Sequence, residues 1–327
     1  MSIDWSRFKS IVQEHDEFLL TSHIRPDCDA LGSELGMAGV LTALGKRVRI
    51  VNADATPPNL AFIDPDGRLE LLGRDVSVEE LIDAPVMIVL DTSAWAQLGA
   101  MGEVLRGARG LKLVMDHHVS EDDLGAELFK NTKAEATGRI VVDAAEELGV
   151  ALSPEIAKPL LAAVATDTGW FRFNSTTGYT MRVAGKLIDA GAGPAELYKM
   201  LYERETIGRL RLVGHVLAAA RTELDGRLIH TRILLSDFDE SGAVPSDTED
   251  LVNMLLSVAG TEVAFILVAQ ATGGFKISFR SRCATDCSKL AETFGGGGHK
   301  AASGALIDGP LEPAQAKVLD AVRKAMG

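Results

Sequence analysis

FLLTSHIRPDCDALG, residues 18–32, opens with a short apolar run and turns abruptly polar. Phe18–Thr21 has the length and composition of a buried strand. The next eight residues bring His23, Asp27 and Asp29, and from about Ala30 to Leu44 the spacing of Leu31, Leu35, Ala38, Leu41 and Leu44 predicts a helix that ends at Gly45. A strand, a turn rich in metal-ligand side chains and a helix follow one another within thirty residues. The plain alternative is a polar turn that caps a helix, so the rest of the chain has to decide.

Three further apolar runs predict buried strands: Val48–Asn52, Val86–Leu90 and Leu111–Met115. Helices are expected over about 136–148 and, almost wholly apolar, over about 154–166. This alternation predicts an α/β fold with a doubly wound, mainly parallel sheet in residues 1–190. Residues 195–222 read as a charged helical stretch, and 191–227 as a connector. From 228 to 327 short strands (228–234, 263–269, 275–280, 304–307) mix with helices near 247–257 and 287–294, which predicts a smaller α+β domain.

The polar residues that follow the strands carry the chemistry. Phe18–Thr21 leads to His23, Asp27 and Asp29; Val86–Leu90 leads to Asp91; Leu111–Met115 leads to Asp116, His117 and His118; the apolar helix ends in Asp167. In open parallel sheets ligands bind at the carboxyl ends of the strands. Four segments would therefore deliver carboxylates and imidazoles to one edge. Burying so many carboxylates together is costly unless cations sit among them. A pair of divalent ions about 3.5–4 Å apart, bridged by a carboxylate, resolves the cost and suits phosphate-ester hydrolysis. Imidazole with carboxylate and no thiolate suits manganese, with magnesium, cobalt or zinc as alternatives.

Composition narrows the partners. The formal net charge of -13 speaks against coating a long duplex with basic side chains, but leaves room for a short anion held by cations. No apolar run of the length a membrane span needs is present, and MSIDWSRFKS has no signal-peptide core. Three cysteines, Cys28, Cys283 and Cys287, fit a reducing cytoplasm, and the lone C-x3-C carries no zinc expectation.

These residues resemble the four motifs of the DHH phosphoesterase superfamily: H-x-x-P-D-x-D (His23 to Asp29), the aspartate of VLDTS, the D-H-H of VMDHHVS and the aspartate of ATDTGWFRF. FGGGGHKAASG (294–304) is similar to the signature of the DHH-associated domain, and the FRSR…GGGGHKAASG arrangement is most similar to the NrnA-type nanoRNases. The resemblance implies hydrolysis of very short oligoribonucleotides, dinucleotides such as pApA among them, and of 3'-phosphoadenosine 5'-phosphate (pAp). It implies that His23 and Asp27 hold one ion and Asp29 the other, that Asp91 bridges them, that His117 ligates the second, and that Asp167 completes the site. His118 would meet the substrate phosphate, with Asp116 orienting the histidines. A homodimer is also implied. Alternatives are a RecJ-like single-strand exonuclease and a nucleotide-sensing module without turnover.

In the C-terminal part, Gly296, Gly297 and Gly298 would let the backbone approach an anion, with His299 as a donor at the tip. FKISFRSR alternates, so Phe275, Ile277 and Phe279 face one way and Lys276, Ser278 and Arg280 the other. Arg280 and Arg282 are expected to grip phosphate. Of Trp170, Phe171 and Phe173, at least two are expected in the core.

Overall fold

The computed structural model describes residues 3–327. Two compact units divide the chain: the first ends at Glu203, the second spans Arg204–Gly327. Among the described residues no helix is long and apolar enough to cross a membrane.

The first unit runs α1 (Trp5–Glu14), β1 (Glu17–Thr21), α2 (Cys28–Ala43), β2 (Arg47–Asn52), β3 (Leu69–Leu71), β4 (Val86–Leu90), α3 (Met101–Gly107), β5 (Leu111–Asp116), β6 (Glu127–Lys130), α4 (Thr137–Glu147), α5 (Pro154–Asp167), α6 (Gly178–Asp189) and α7 (Pro194–Tyr202). Its six strands pair in the order β3-β2-β1-β4-β5-β6, every pair parallel. β4, next to β1 at the centre, is buried along its whole length, as its unbroken run VMIVL requires. One face of the sheet is covered by α1, α2, α4, α5 and α6, the other by α3 and the segments around Val76 and Leu98. The sheet is thus doubly wound, as the alternating pattern predicts. The strand order reverses between β1 and β4, and a crevice opens there at the carboxyl ends.

Helix α2 has almost no polar face: thirteen of its residues are buried, the acids Asp29 and Glu34 among them. It packs against α5 through a glycine seam. A Cβ on Gly32 would stand 2.4 Å from the carbonyl oxygen of Pro159, one on Gly36 2.3 Å from a Leu160 methyl, and one on Gly39 2.6 Å from Ile156 Cγ1. The two backbones therefore approach more closely than any larger residue permits. Gly32 also faces Ala163, so the α5 partners run Ala163, Leu160, Ile156 as α2 advances; the helices are antiparallel, and the start of α2, with Asp27 and Asp29, lies beside the end of α5, with Asp167.

The second unit contains α8 (Ile207–Ala218), β7 (Arg221–Glu223), β8 (Leu228–Ile233), α9 (Leu235–Ser241), α10 (Leu251–Leu256), β9 (Val263–Ala269), β10 (Phe275–Ser281), α11 (Cys287–Glu292), β11 (Gly297–Gly298), β12 (Ala302–Ile307) and α12 (Leu311–Met326). Its sheet has the order β11-β12-β10-β9-β8-β7, antiparallel except for β8 with β9. Helices α11 and α12 cover one face and α8 and α10 the other. Residues 195–222 are not one helix. α7 stops at Tyr202, Thr206 caps the start of α8 by accepting the Arg209 N–H, and β7 begins at Arg221. The charged sequence hid the break because it contains no proline after Pro194 and no glycine before Gly208.

The seam predicts opposite outcomes for two similar substitutions. Gly32→Ala forces a methyl onto the Pro159 carbonyl and is expected to destabilise by about 1–3 kcal/mol. Gly185→Ala, inside α6 with open space around it, is expected to stabilise by about 0.5–1 kcal/mol. Urea unfolding of both variants checks this; a Gly32→Ala protein as stable as the parent would show that the seam has slack.

Candidate metal centre

The crevice at the ends of β1, β4 and β5 holds a pocket of about 270 Å³ lined by His23, Asp27, Asp91, His117, His118 and Asp167 together with Thr92, Ser93 and Gln97. Each sequence-derived acid or imidazole of the first unit reaches this place, either lining the pocket or, for Asp29 and Asp116, lying buried directly behind it.

Asp91 follows β4 and is 2% exposed. Its φ of 61° lies in the left-handed region, a conformation that costs a non-glycine residue about 1–3 kcal/mol and that clusters at functional sites. The bond from its N–H to the Met115 carbonyl holds it there. The result is a carboxylate whose two oxygens face different histidines. Oδ2 lies 3.4 Å from His23 Nε2, and Oδ1 lies 3.5 Å from His117 Nε2. Around each histidine a ligand set assembles: His23, Asp27 and Asp91 on one side, and Asp29, His117 and Asp167 on the other, with His117 Nε2 3.5 Å from Asp167 and 3.8 Å from Asp29. A third overlapping group joins Asp91, His117 and His118. These separations are mostly too long for hydrogen bonds, yet they match donors that share an ion about 2.1 Å from each.

The imidazoles are oriented for this. His23 Nδ1 donates to the Ile24 carbonyl at 2.8 Å and His117 Nδ1 lies 3.3 Å from the Ala134 carbonyl, so both Nε2 atoms face the carboxylates as free acceptors. Asp27 caps α2 by accepting the Asp29 and Ala30 amides with one oxygen. Asp29 receives the Thr137 and Gly138 amides at the start of α4 and the Ser33 hydroxyl. A Cβ on Gly138 would already crowd it at 3.3 Å.

The charges do not balance by themselves. Burial raises the pKa of Asp29; burial and then Asp29 raise Asp91 well above the usual carboxylate range; burial and Asp29 push Asp167 up to about 6. Three carboxylates that repel one another around two outward-aimed imidazole nitrogens fit a pair of divalent cations, by charge and by donor type.

Asp116 belongs to a different arrangement. It is wholly buried and burial opposes its charge, but the His118 ring, the Ser93 hydroxyl and the His118 amide hold its pKa down at about 2. Its Oδ1 accepts His118 Nδ1–H at 2.8 Å and the His118 amide at 3.0 Å; its Oδ2 accepts the Ser93 hydroxyl at 2.6 Å. The bond from Asp116 raises the pKa of His118, whose half-exposed ring faces the pocket.

Several supporting residues escaped sequence reasoning. Ser93 stands two residues after Asp91, Thr137 gives its hydroxyl to Asp91 Oδ1 at 2.9 Å, and Lys130 ends β6 opposite Asp116. Beneath His23, Asn52 accepts the Ser22 amide at 3.1 Å and donates to fully buried Glu34 at 2.9 Å; burial pushes Glu34 up to about 8. Only Ser93 carried a signal, its place in DTS.

The second unit holds the remaining candidates. β10 alternates as expected, with Phe275, Ile277 and Phe279 inward. Arg280 is held by the Asn253 side chain at 3.0 Å and by the Phe279 carbonyl, while Arg282 is exposed and its amide donates to the Glu262 carbonyl. Gly297–Gly298 pair with β12, and His299 sits exposed at the tip of that hairpin. Cβ atoms on Gly296 and Gly298 would meet the Gly304 and Ala302 carbonyls at 2.1 and 2.7 Å, so these glycines are required by strand approach. Trp170 and Phe171 pack against the core and Phe173 is exposed.

Residues 17–165 match the DHH family, N-terminal domain, and residues 225–327 the DHHA1 domain. A Thermus thermophilus protein named bifunctional oligoribonuclease and PAP phosphatase NrnA is 32% identical over 93% of this chain and 89% of its own length. The chain belongs to the DHH family. An exopolyphosphatase-related protein from Bacteroides fragilis superimposes with a TM-score of 0.83 at 26% identity, covering 98% of this chain and 95% of its own. Exonuclease RecJ, solved with manganese, shares the fold at a TM-score of 0.54 and 16% identity, covering 99% and 96%.

A pH dependence follows from the raised carboxyls. A group whose pKa is higher in the fold than in the open chain takes up a proton on folding, so its burden is absent at low pH and grows as pH rises through the folded value. For Asp167 the window runs from its ordinary 3.8 to about 6, and for Glu34 from 4.5 to about 8. In chelator, the Tm of the metal-free protein is expected to fall between about pH 4 and pH 8. Glu34→Gln is expected to flatten the upper half of that decline. Calorimetry checks both, and an unchanged slope in Glu34→Gln would contradict the assignment.

Proposed function

We propose that this chain is a metal-dependent phosphoesterase that hydrolyses short oligoribonucleotides, dinucleotides such as pApA included, and removes a phosphate from pAp. The observation that carries the reading is Asp91, one buried and strained carboxylate presented to two histidine-centred ligand sets at once. A site for a single structural ion does not need such sharing. The Thermus thermophilus relative bears the matching name.

In this reading His23, Asp27 and Asp91 hold one divalent ion, and Asp91, Asp29, His117 and Asp167 hold the other, manganese by preference given the mixed nitrogen and oxygen donors. When bound, such a pair neutralises phosphoryl charge and activates water for in-line attack. The chain's own residues do the rest. The left-handed turn at Asp91 fixes the ligand spacing before any substrate arrives. His118, its Nδ1–H tied to Asp116, turns Nε2 to the pocket, and as the imidazolium that Asp116 favours it donates the Nε2 proton to the phosphate or its leaving oxygen. In the second unit Arg280, Arg282, His299 and the 296–298 strand edge are the residues we assign to gripping the substrate's remaining charge. A cytoplasmic setting is in keeping with three free cysteines, Cys28 and Cys287 being buried.

Purified protein with manganese should hydrolyse an RNA dinucleotide and pAp rapidly, and long RNA or pyrophosphate slowly. Asp91→Ala, shown folded by circular dichroism, should lose both activities to the buffer rate. Preference for long RNA would transfer the protein to an exonuclease role. Tight nucleotide binding without turnover of any substrate would reveal a sensor.

A further inference from the structure

Lys130 is one of the least exposed cationic side chains of the first unit, 8% accessible at the end of an edge strand. Its position follows from register. β5 and β6 are parallel with Asp116 opposite Lys130, so the two side chains leave the sheet on the same face. The ammonium has three donors and four oxygen neighbours around them: Ser93 Oγ at 2.7 Å, the Ser120 carbonyl at 2.8 Å, Asp116 Oδ2 at 3.3 Å and Glu121 at 3.3 Å. Ser93 in turn gives its own proton to Asp116 Oδ2 at 2.6 Å. One oxygen of Asp116 is thereby fully occupied by Lys130 and Ser93, and the other by His118.

An ordinary ion pair needs none of this, and burying a lysine is costly where it only pairs. Here the contacts close on His118 from two sides. Through Asp116 they fix the ring; through the Ser120 carbonyl they fix the backbone that leaves it, with the Glu121 carboxylate alongside. We propose that Lys130 is a positioning residue for the reaction: it locks Asp116 and the 120–121 segment so that the His118 ring keeps Nδ1–H on Asp116 and Nε2 directed at the substrate. The inference rests on the phosphoesterase reading for its kinetic consequence alone; the orientation of His118 can be read independently.

Lys130→Met keeps the stem and removes the charge. With manganese and an RNA dinucleotide, kcat should fall about 10- to 100-fold while KM stays within about twofold, the size typical of a lost orienting partner. Two ions should still bind in a manganese titration. Ser93→Ala, which removes the other partner of Asp116 Oδ2, should show the same split and guards against a Lys130→Met protein that fails to fold. In nitrogen-15 histidine spectra with magnesium as the diamagnetic ion, at a pH high enough to leave the ring neutral, His118 should show one Nδ1-protonated tautomer in the parent and an averaged pair in both variants. Unchanged kcat, or a single retained tautomer, overturns the proposal. If the parent hydrolyses neither dinucleotide nor pAp, the functional reading fails while the histidine spectra still decide the role of Lys130.

Discussion

Mutual repulsion among Asp29, Asp91 and Asp167 is the constraint to which the first unit is built. Carboxylates drawn out of water resist ionisation and resist one another. The fold nevertheless brings them together, and neutral or dipolar groups hold each in place: the α4 amides and Ser33 on Asp29, the Thr137 hydroxyl on Asp91. None of these donors cancels the charge. The site is a rigidly held group of acids, a setting that favours a divalent pair.

A second layer separates roles that the neighbouring side chains could otherwise confuse. Asp116 lies one residue from His117 yet has its charge stabilised, with a pKa at about 2, whereas Asp91 has its charge opposed. The difference comes from partners. Asp116 has a hydroxyl, an amide, an imidazole and an ammonium within reach, whereas Asp91 is opposed by burial and by nearby Asp29 and Asp27. Two carboxylates of the same sheet edge are thus held in different ways, one crowded by its neighbours and one committed to holding a histidine.

Much of this was legible in the sequence because a parallel sheet writes it plainly. Apolar runs ending in Asp91 and in Asp116–His118 locate the strand ends, and carboxyl ends of adjacent strands share one edge. What escaped was set by register and by side-chain packing. Lys130 becomes a neighbour of Asp116 only once β6 is laid beside β5, and the short run Glu127–Lys130 has no strand signature of its own. Glu34 and Asn52 sit on a helix and a strand whose apolar periodicity makes single polar residues look incidental. The break between α7 and α8 was invisible because Thr206, a helix cap, stands amid charged residues that read equally well as helix.

The glycine seam between α2 and α5 has a consequence for ion choice. Asp27 and Asp29 open one helix and Asp167 closes the other, so the gap across part of the site is set by how closely the two helices pack, with Gly32 against the Pro159 carbonyl and Gly36 and Gly39 against the Leu160 and Ile156 side chains. An exposed side chain can swing to suit an ion; two helices locked along such a seam cannot. The seam works as a gauge block, holding the jaws at one opening, and an ion too large for that opening finds ligands that cannot retreat.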